Sequence, residues 1–237
     1  MSLLVAVKSC WRDRTLGFHD AIRETWGRDL KQAGVHVMFF LGHRDSGYFL
    51  RHPEGEAVAL LRDEFVVDCA DDYNALPHKT RGIAKWSLPK ICDHVFLCDN
   101  DTIVNAKALL TLPYQLFDYA GHFKGGQDEL GRTFAYKDHT GEYPNCYPWA
   151  SGGFGYFISK PAAELLVETF PKLWAEDMYV GNVLGPEIQR GNMLGGALRM
   201  INIATWHFKK SPKHPQFTPD LLRRIHKDGS PDKVYLD

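Results

Sequence analysis

The stretch that decides the fold is residues 95–101, which read Val95-Phe96-Leu97-Cys98-Asp99-Asn100-Asp101. Four apolar residues followed at once by acidic ones predict a buried strand that ends where Asp99 begins a turn. In an open α/β sheet, the ligand crevice lies outside the carboxyl ends of such strands. Alternate side chains of extended backbone point the same way, so Asp99 and Asp101 are able to converge on a hard divalent cation. The alternative is a strand that ends in an ordinary Asx-rich turn.

Apolar runs and helical patterns alternate around this stretch. Further strands are predicted at residues 3–7, 35–42 and 65–68, the first of them in the middle of the sheet. Helices are predicted at residues 18–26, 56–62 and 78–91, with Gly27 as the stop of the first and a break or kink at Pro89 in the third. The alternation predicts an α/β fold with a mostly parallel central sheet and helices on both faces.

The second half of the chain differs from the first. From residue 121, glycine, aromatic residues and proline predict loops that shape a substrate cleft. Helical patterns return at residues 162–170 and 177–184, and residues 209–219 form a proline-interrupted basic tail. The chain has 237 residues, enough to bury a sizeable core, and we expect a single domain.

Composition excludes several classes of protein. The formal charge of −1 gives no general electrostatic reason to expect nucleic acid or an anionic membrane as partner. No apolar run has the length of a transmembrane segment, and the N-terminus lacks the pattern of a signal peptide. The five cysteines are an odd number without CxxC spacing, which favours reduced buried thiols. An N-x-T sequon begins at Asn100, inside the proposed metal motif, and this favours a cytosolic protein over a lumenal one.

Six blocks of the sequence, in order along most of the chain, resemble the β-1,3-galactosyltransferase family, which includes β-1,3-N-acetylglucosaminyltransferases and fringe enzymes. The blocks are residues 21–27, 39–42, 68–80, 99–101, 151–159 and 176–181. The first is similar to the family's I-R-x-T-W segment, and the last matches its E-D-V-Y-x-G segment. Each block alone is weak, and together they are specific.

The chain also departs from the family pattern. His19 stands where the family usually has an arginine, and the Tyr147-Pro148 segment is about one residue short before Ser151. Ala75 and Pro77 replace the asparagine and threonine of the family's N-L-T. These departures concern the choice of acceptor more than the chemistry.

The resemblance implies a glycosyltransferase-A fold with a nucleotide-sugar-binding half, about residues 1–120, and an acceptor-binding half, about residues 121–237. It implies an inverting transferase that uses a UDP-sugar donor with Mn²⁺ or Mg²⁺. The expected reaction moves a hexose, with galactose favoured, to a sugar hydroxyl of a glycan acceptor in a β-1,3 linkage.

The resemblance and the chemistry of the residue types together give the expected roles. The expected sets are Asp177 and Glu176 for catalysis; Arg23, Lys79, Asp99 and Asn100 for the donor; Trp149, Gly152 and Gly153 for the acceptor; and Asp101, Asp99 and His207 for the metal. Asp177 matches the proposed base, because inverting transfer needs one group to deprotonate the acceptor hydroxyl.

Each of these residues also has an ordinary structural explanation. Glu176 and Asp177 are typical of an acidic helix start, and Gly152 and Gly153 of a turn. Arg23 and Lys79 are able to pair with surface carboxylates or solvent instead of a donor. Trp149 and His207 are equally compatible with a protein core.

Two other functions stay open at this point. One is a β-1,3-N-acetylglucosaminyl, fringe-like transferase, and the other is a catalytically silent binder of nucleotide sugars or glycans with the same fold. A nucleotidyltransferase or phosphoryl-transfer enzyme is disfavoured, since the chain has no G-x-x-x-x-G-K-[ST] loop. With no membrane segment, we expect a cytoplasmic enzyme or, alternatively, a lumenal Golgi catalytic fragment without its anchor.

Overall fold

The computed structural model describes residues 2–44, 60–90, 92–124, 130, 132–138, 141–173, 175–207 and 217–229. Seven strands of this part form the main sheet: β1 (Leu3–Lys8), β2 (His36–His43), β3 (Glu64–Ala70), β4 (His94–Asp99), β6 (Tyr119–Gly121), β11 (Tyr156–Ser159) and β12 (Gly195–Ala197). Three strand pairs lie beside it: β5 (Thr102–Val104) with β13 (Thr205–His207), β7 (Phe123–Lys124) with β10 (Trp149–Ala150), and β8 (Phe134–Asp138) with β9 (Gly141–Cys146).

The main sheet has the order β12-β6-β11-β4-β1-β2-β3. All neighbouring pairs are parallel except those of β11, which is antiparallel to both β4 and β6. The described helices are α1 (Trp11–Thr15), α2 (Phe18–Glu24), α3 (Trp26–Gln32), α4 (Leu76–Ser87), α5 (Ala106–Thr111), α6 (Lys160–Glu168), α7 (Glu176–Gln189) and α8 (Pro219–Asp228). The predicted α/β fold with a mostly parallel sheet is confirmed.

Strand β1 shows how the sequence builds a sheet covered on both faces. Leu3, Val5 and Val7 belong to one buried cluster, which includes residues of α2, α3 and α8. Leu4 and Ala6 point to the opposite face and belong to a second cluster, which includes residues of α4, α6 and α7. Because successive strand residues alternate between faces, a strand buried on both sides must be apolar throughout.

The helix predicted at residues 18–26 is in fact two helices. Thr25 interrupts it with a φ of −117° and a ψ of −123°, which are not helical, and its hydroxyl donates to the Ala21 carbonyl at 2.6 Å. Gly27 is the second residue of α3 rather than a stop. A Cβ at this position would lie 2.6 Å from the Ile22 carbonyl oxygen, so glycine is needed for close approach of α3 to α2.

The helix predicted at residues 78–91 begins earlier, at Leu76, and ends at Ser87, in agreement with the break predicted at Pro89. Residues 88–90 are not helical, and residue 91 lies outside the described residues. Pro89 has no N–H with which to continue the helical hydrogen bonds. Of the helix predicted at residues 56–62, residues 56–59 lie outside the described residues, and residues 60–62 are not helical. Most of the predicted basic tail, residues 209–216, also lies outside them, and α8 begins at its last residue, Pro219.

The five cysteines are free, and Cys69, Cys98 and Cys146 are buried, whereas Cys10 and Cys92 are only partly buried, which differs from the expectation of buried thiols throughout. Within the described residues, no helix has the length and apolar character needed to cross a bilayer. The main sheet takes strands from before and after residue 121, and the division into two functional halves stays a prediction.

Candidate active site

The candidate site begins where β1 and β4 end side by side. The register of the two strands pairs Lys8 with Asp99. Lys8 Nζ lies 3.3 Å from Asp99 Oδ1, and the lysine side chain is 1% exposed. A polar pair thus terminates two buried strands at the carboxyl edge of the sheet, the place where α/β folds bind ligands.

Asp99, Asp101 and His207 form a cluster beside this pair. Their potential ligand atoms all lie within 4.8 Å of one another. The chain reverses after β4, and β5 pairs with β13 so that Thr102 lies opposite His207. This pairing brings a histidine from late in the chain to the aspartates, with His207 Nε2 3.4 Å from Asp101 Oδ1.

The cluster fits a divalent cation. Asp101 Oδ1 is buried, and no hydrogen-bond donor of the described residues satisfies it. A buried carboxylate oxygen without a donor is costly unless a cation compensates it. Two carboxylates and one imidazole are a donor set that a cation such as Mn²⁺ accepts. Burial raises the pKa of Asp99 to about 6, an effect that Lys8 opposes and the charges of Asp101 and Glu176 reinforce.

Glu176, the first residue of α7, is held from three sides. Its carboxylate accepts hydrogen bonds from Thr80 Oγ1 at 2.8 Å and from the Tyr156 hydroxyl, and it lies 3.0 Å from Lys8 Nζ. The glutamate side chain is only 6% exposed. With all these partners in place, Glu176 is a fixed buried anion rather than a mobile one.

Asp177 follows on the same helix and is less enclosed than Glu176. Its Oδ1 accepts the Met178 backbone N–H at 2.9 Å. Burial and then the charge of Glu176 raise the pKa of Asp177, while Lys8 opposes the shift. A carboxylate with a raised pKa is a stronger base than an ordinary aspartate, which suits proton abstraction.

Gly152 and Gly153 belong to a 3-10 helix at Gly152–Phe154. Gly152 lies beside Glu176, and Gly153 lies beside His207 of the metal-type cluster. A Cβ on Gly152 would lie 2.8 Å from Glu176 Oε2. A Cβ on Gly153 would lie 2.5 Å from His207 Nδ1. Thr102 Oγ1 fixes this turn by donating to the Gly153 carbonyl at 2.8 Å. The backbone therefore approaches both Glu176 and the metal-type cluster at distances that exclude a side chain.

Arg23 does not reach this cluster. Its guanidinium contacts Asp63 at 2.8 Å and Glu64 at 2.7 Å, and Asp20 on its own helix at 2.8 Å. These contacts agree with the alternative that Arg23 pairs with carboxylates of the protein instead of the donor. We therefore do not include Arg23 among the proposed donor contacts.

Lys79 and Asn100 are also bound to other protein groups. Lys79 is 1% exposed, and its amine donates to the Ser9 carbonyl and to Asp71 at 3.0 Å. The Asn100 amide donates to Ser9 Oγ at 2.9 Å and to Asp13 at 3.0 Å. Both side chains hold the end of β1 in place, and a direct contact of either with a donor stays a prediction.

Trp149 lies in a buried aromatic cluster. It is 2% exposed, with its ring stacked on Phe134 at 5.3 Å and edge-on to Tyr136 at 4.8 Å. These surroundings agree with the alternative that Trp149 is a residue of the protein core. An enclosed ring presents no face on which a sugar can stack. We therefore leave Trp149 out of the proposed acceptor surface.

Sequence reasoning missed Lys8 and Tyr73. Lys8 ends an apolar run and resembles an ordinary strand boundary, yet it contacts both Asp99 and Glu176. Tyr73 is 68% exposed. Its partial burial raises its pKa most, and the charges of Asp177 and Asp99 raise it further. An exposed aromatic residue whose pKa these carboxylates influence is a candidate contact for a sugar.

A cavity of about 610 Å³ lies elsewhere, between α3, β5, α5 and α8. Its walls include Trp26, Ile103 and Trp206, and none of Asp99, Asp101, Asp177, Glu176 or His207 lines it. Polar groups that suit chemistry converge at the sheet edge instead, so we place the candidate site there.

Comparisons with known proteins were made against this geometry. The family model described as Galactosyltransferase matches residues 19–189, which include all the candidate site residues except Lys8 and His207. No curated protein matches the chain in a direct comparison of sequences.

Solved structures with similar folds are distant in sequence. The inositol-1-phosphate CTP transferase from T. maritima is 13% identical, with a TM-score of 0.49 over 97% of this chain and 98% of that one. The galactosyltransferase LgtC, solved with donor and acceptor sugar analogues, is 12% identical, with a TM-score of 0.48 over 96% of each chain. A glycosyltransferase involved in glycosylation of the major capsid of PBCV-1 is 11% identical, with a TM-score of 0.44 over 96% of this chain and 100% of that one. At these identities and scores, none of the three decides what the chain does.

Proposed function

Because the chain belongs to the galactosyltransferase family, we propose that it transfers a hexose, with galactose favoured, from a UDP-sugar to a sugar hydroxyl of a glycan acceptor. Family membership makes it a glycosyltransferase of the glycosyltransferase-A type. The UDP-sugar donor, the β-1,3 linkage, the inversion at the anomeric carbon and the requirement for a metal are our proposal.

Asp101, Asp99 and His207 would hold the cation, Mn²⁺ or Mg²⁺. When bound, such a cation offsets the negative charge that builds on a departing diphosphate. The unsatisfied Asp101 oxygen supports this assignment more strongly than the aspartate spacing does, since acidic turns are common without a metal.

Asp177 is the proposed base for the acceptor hydroxyl. Its raised pKa strengthens it as a base, and its partial exposure leaves it within reach of an acceptor. Glu176 acts on Asp177 through its charge and fixes the start of α7 through its own buried contacts. We therefore propose Glu176 as a positioning residue, without contact to the acceptor.

One observation carries the proposal. Lys8 Nζ lies within 3.3 Å of Asp99 and 3.0 Å of Glu176, so a single buried cation joins the metal-type cluster to the helix end that carries Asp177. Inverting transfer needs a base on one side of the anomeric carbon and charge compensation for the leaving group on the other. Because Lys8 contacts both Asp99 and Glu176, the metal-type cluster and the start of α7, which carries Asp177, stay at a fixed separation.

Two alternatives keep the same site. An N-acetylglucosaminyl donor differs from galactose by an acetamido group and by the orientation of one hydroxyl. A silent binder would retain the fold without turnover, but both Asp101 and Asp177 are present in this chain. A cytosolic setting, and the lumenal alternative, stay predictions.

The test is a panel of UDP-sugars with candidate glycan acceptors, in the presence of Mn²⁺ or a chelator, with release of UDP as the readout. We expect metal-dependent release from one donor and a β-1,3-linked product. Asp177→Asn should abolish transfer while UDP still binds with Mn²⁺.

Other outcomes separate the alternatives. Turnover of UDP-N-acetylglucosamine alone would favour the fringe-like transferase. Tight binding of UDP and Mn²⁺ without turnover of any donor would favour the silent binder. Failure to bind UDP in the presence of Mn²⁺ would overturn the metal site.

A further inference from the structure

We infer that His19 is a positioning residue whose neutral imidazole orients the Ser9 hydroxyl, which in turn holds Asn100 in the turn between Asp99 and Asp101. The inference deepens the proposed function, because that turn carries the candidate metal ligands. The two ring nitrogens of His19 form hydrogen bonds with Ser9 and Glu64, and neither of these is a candidate metal ligand.

The direction of the hydrogen bonds of Asn100 follows from Asp13. One of the two terminal atoms of the Asn100 side-chain amide lies 3.0 Å from the Asp13 carboxylate and 2.9 Å from Ser9 Oγ. A carboxylate accepts only, so the group facing it must be the NH₂ of Asn100. The same NH₂ donates its second hydrogen to Ser9 Oγ.

Glu64 decides the direction of the bond between Ser9 and His19, because its carboxylate accepts only, so the proton of the neutral imidazole is on Nδ1 and Nε2 accepts from Ser9. A serine hydroxyl has one hydrogen, and His19 Nε2 lies 2.8 Å from Ser9 Oγ. His19 Nδ1 lies 2.8 Å from Glu64 Oε1. All the bonds therefore run one way, from Asn100 through Ser9 and His19 to Glu64, and aligned bonds of this kind strengthen one another.

The surroundings of His19 keep it neutral. It is 1% exposed and stacked on Phe39 of β2 with 4.2 Å between ring centres. Burial lowers the pKa of His19; Glu64 on β3 opposes this, and the charges of Arg23 on α2 and Arg14 on α1 add to it. Burial would raise the pKa of Glu64, but its hydrogen bonds with His19, Arg14 and Arg23 hold it well below its usual range, so the acceptor at the end of the series is a carboxylate.

The series connects otherwise separate parts of the fold to the turn. Asp13 is on α1, His19 on α2 and Glu64 on β3, whereas Asn100 directly follows β4. Asn100 is 7% exposed, so its amide is anchored inside the protein, while the residues on either side, Asp99 and Asp101, belong to the candidate metal cluster. Loss of the anchor would free the turn to relax and separate the Asp99 and Asp101 carboxylates.

The order of the bonds is testable by NMR at neutral pH, without any ligand. Imidazole ¹⁵N spectra should show His19 as the neutral form with its proton on Nδ1, identified by comparison with His19→Gln. Ser9→Ala should shift the Nε2 resonance and speed solvent exchange of the Asn100 amide protons. A His19 proton on Nε2, or a charged His19, would overturn the inference.

The consequence for the metal motif is tested with Mn²⁺ alone, by calorimetry. We expect Ser9→Ala to weaken Mn²⁺ binding about five-fold, the factor that corresponds to one net hydrogen bond. His19→Phe keeps the stacked ring but has no nitrogen, and it should weaken binding similarly, whereas His19→Gln, with one donor and one acceptor, should restore part of the affinity. The double variant Ser9→Ala with His19→Phe should lose little more than either single variant.

Ser87→Ala is the matched control. Ser87 is also a buried serine, but its hydroxyl donates to the Ala84 carbonyl within α4, away from the turn. It should lose stability to a similar degree and bind Mn²⁺ as the wild type does. Equal Mn²⁺ affinities for the wild type and Ser9→Ala would overturn the positioning role. If the wild type binds no Mn²⁺, the proposed metal site fails, and the NMR measurement alone decides whether His19 positions Asn100.

Discussion

Lys8 and Glu176 form an ion pair at 3.0 Å in which the two side chains are 1% and 6% exposed. Two charges so deeply buried depend on each other, because either one alone would be uncompensated in a medium of low dielectric constant. Lys8 also contacts Asp99, so its removal would leave two carboxylates without their cation.

Lys8→Met should therefore destabilise the protein by about 3–5 kcal/mol, the usual effect of removing one partner of a buried pair. Urea unfolding followed by circular dichroism measures this. Lys137→Met is the control, since Lys137 pairs with Glu142 at the surface with its side chain 73% exposed, and it should cost less than about 1 kcal/mol. Equal midpoints for the two variants would show that the pair around Lys8 does not stabilise the fold.

The pH dependence of transfer should reflect Asp177. A base must be ionised, so activity should fall as the pH drops through the pKa of Asp177, which burial and Glu176 raise above the ordinary aspartate value. Glu176→Gln removes the raising charge and should move the acid limb of kcat/KM to lower pH. Glu168→Gln alters an exposed carboxylate on α6 and should leave the limb unchanged. If Glu176→Gln leaves the acid limb of kcat/KM at the same pH, the base is another residue.

Asp177→Asn should separate activity from stability. We expect kcat to fall by about 10²–10⁴-fold, the usual contribution of a general base. Because the pKa of Asp177 is raised in the folded state, the native protein holds the proton more tightly than the unfolded chain, and stability falls as pH rises through this range. A neutral asparagine avoids this loss, so the melting temperature at neutral pH should equal or exceed that of the wild type. A lower melting temperature would mean that the carboxylate stabilises the fold.

Gly153→Ala should damage the metal site. The new Cβ would lie 2.5 Å from His207 Nδ1, so the imidazole must shift from its present position beside Asp101. We expect Mn²⁺ binding, measured by calorimetry, to weaken at least ten-fold, since a displaced ligand loses its bond to the cation. Gly34→Ala is the control, because Gly34 has no atom within 4 Å of the added Cβ and only its positive φ of 81° makes alanine unfavourable there. Unchanged Mn²⁺ affinity in Gly153→Ala would exclude His207 as a ligand.

Metal and nucleotide together should stabilise the folded protein. A ligand that binds only the native state at one hundred times its Kd adds about 2.7 kcal/mol, which is visible as a rise in melting temperature. We expect this rise with Mn²⁺ plus UDP, its loss on chelation and its absence in Asp101→Asn. The same rise in Asp101→Asn as in the wild type would place the cation elsewhere.

Much of the fold follows from local sequence pattern. The apolar run at residues 95–98 is a buried strand that ends at Asp99, and the run at residues 3–7 lies within the sheet beside it. These predictions succeed because burial on both faces requires continuous apolar sequence. The break at Thr25 was missed because it depends on how closely α2 and α3 pack, which the spacing of apolar residues does not reveal.

The site was predictable only in part, for a physical reason. Asp99 and Asp101 are close in sequence, but His207 reaches them through the pairing of β5 with β13, which no local pattern predicts. Lys8 lies at the end of a strand that the local sequence predicts. Its role was not predictable, because it depends on contact with Glu176, which is far along the chain. Arg23 matches a family motif and Trp149 is a residue type on which sugars stack, yet their neighbours in the fold are carboxylates and aromatic rings of the protein itself.

The position of β11 has a consequence for synthesis on the ribosome. Strand β4 carries Asp99 and has β1 on one side, but its other neighbour is β11, at Tyr156–Ser159. A nascent chain that has emerged only as far as residue 120 therefore exposes one edge of an apolar strand without its hydrogen-bonding partner. Such edges pair readily with other chains, so we expect a fragment that stops before Tyr156 to aggregate rather than fold on its own.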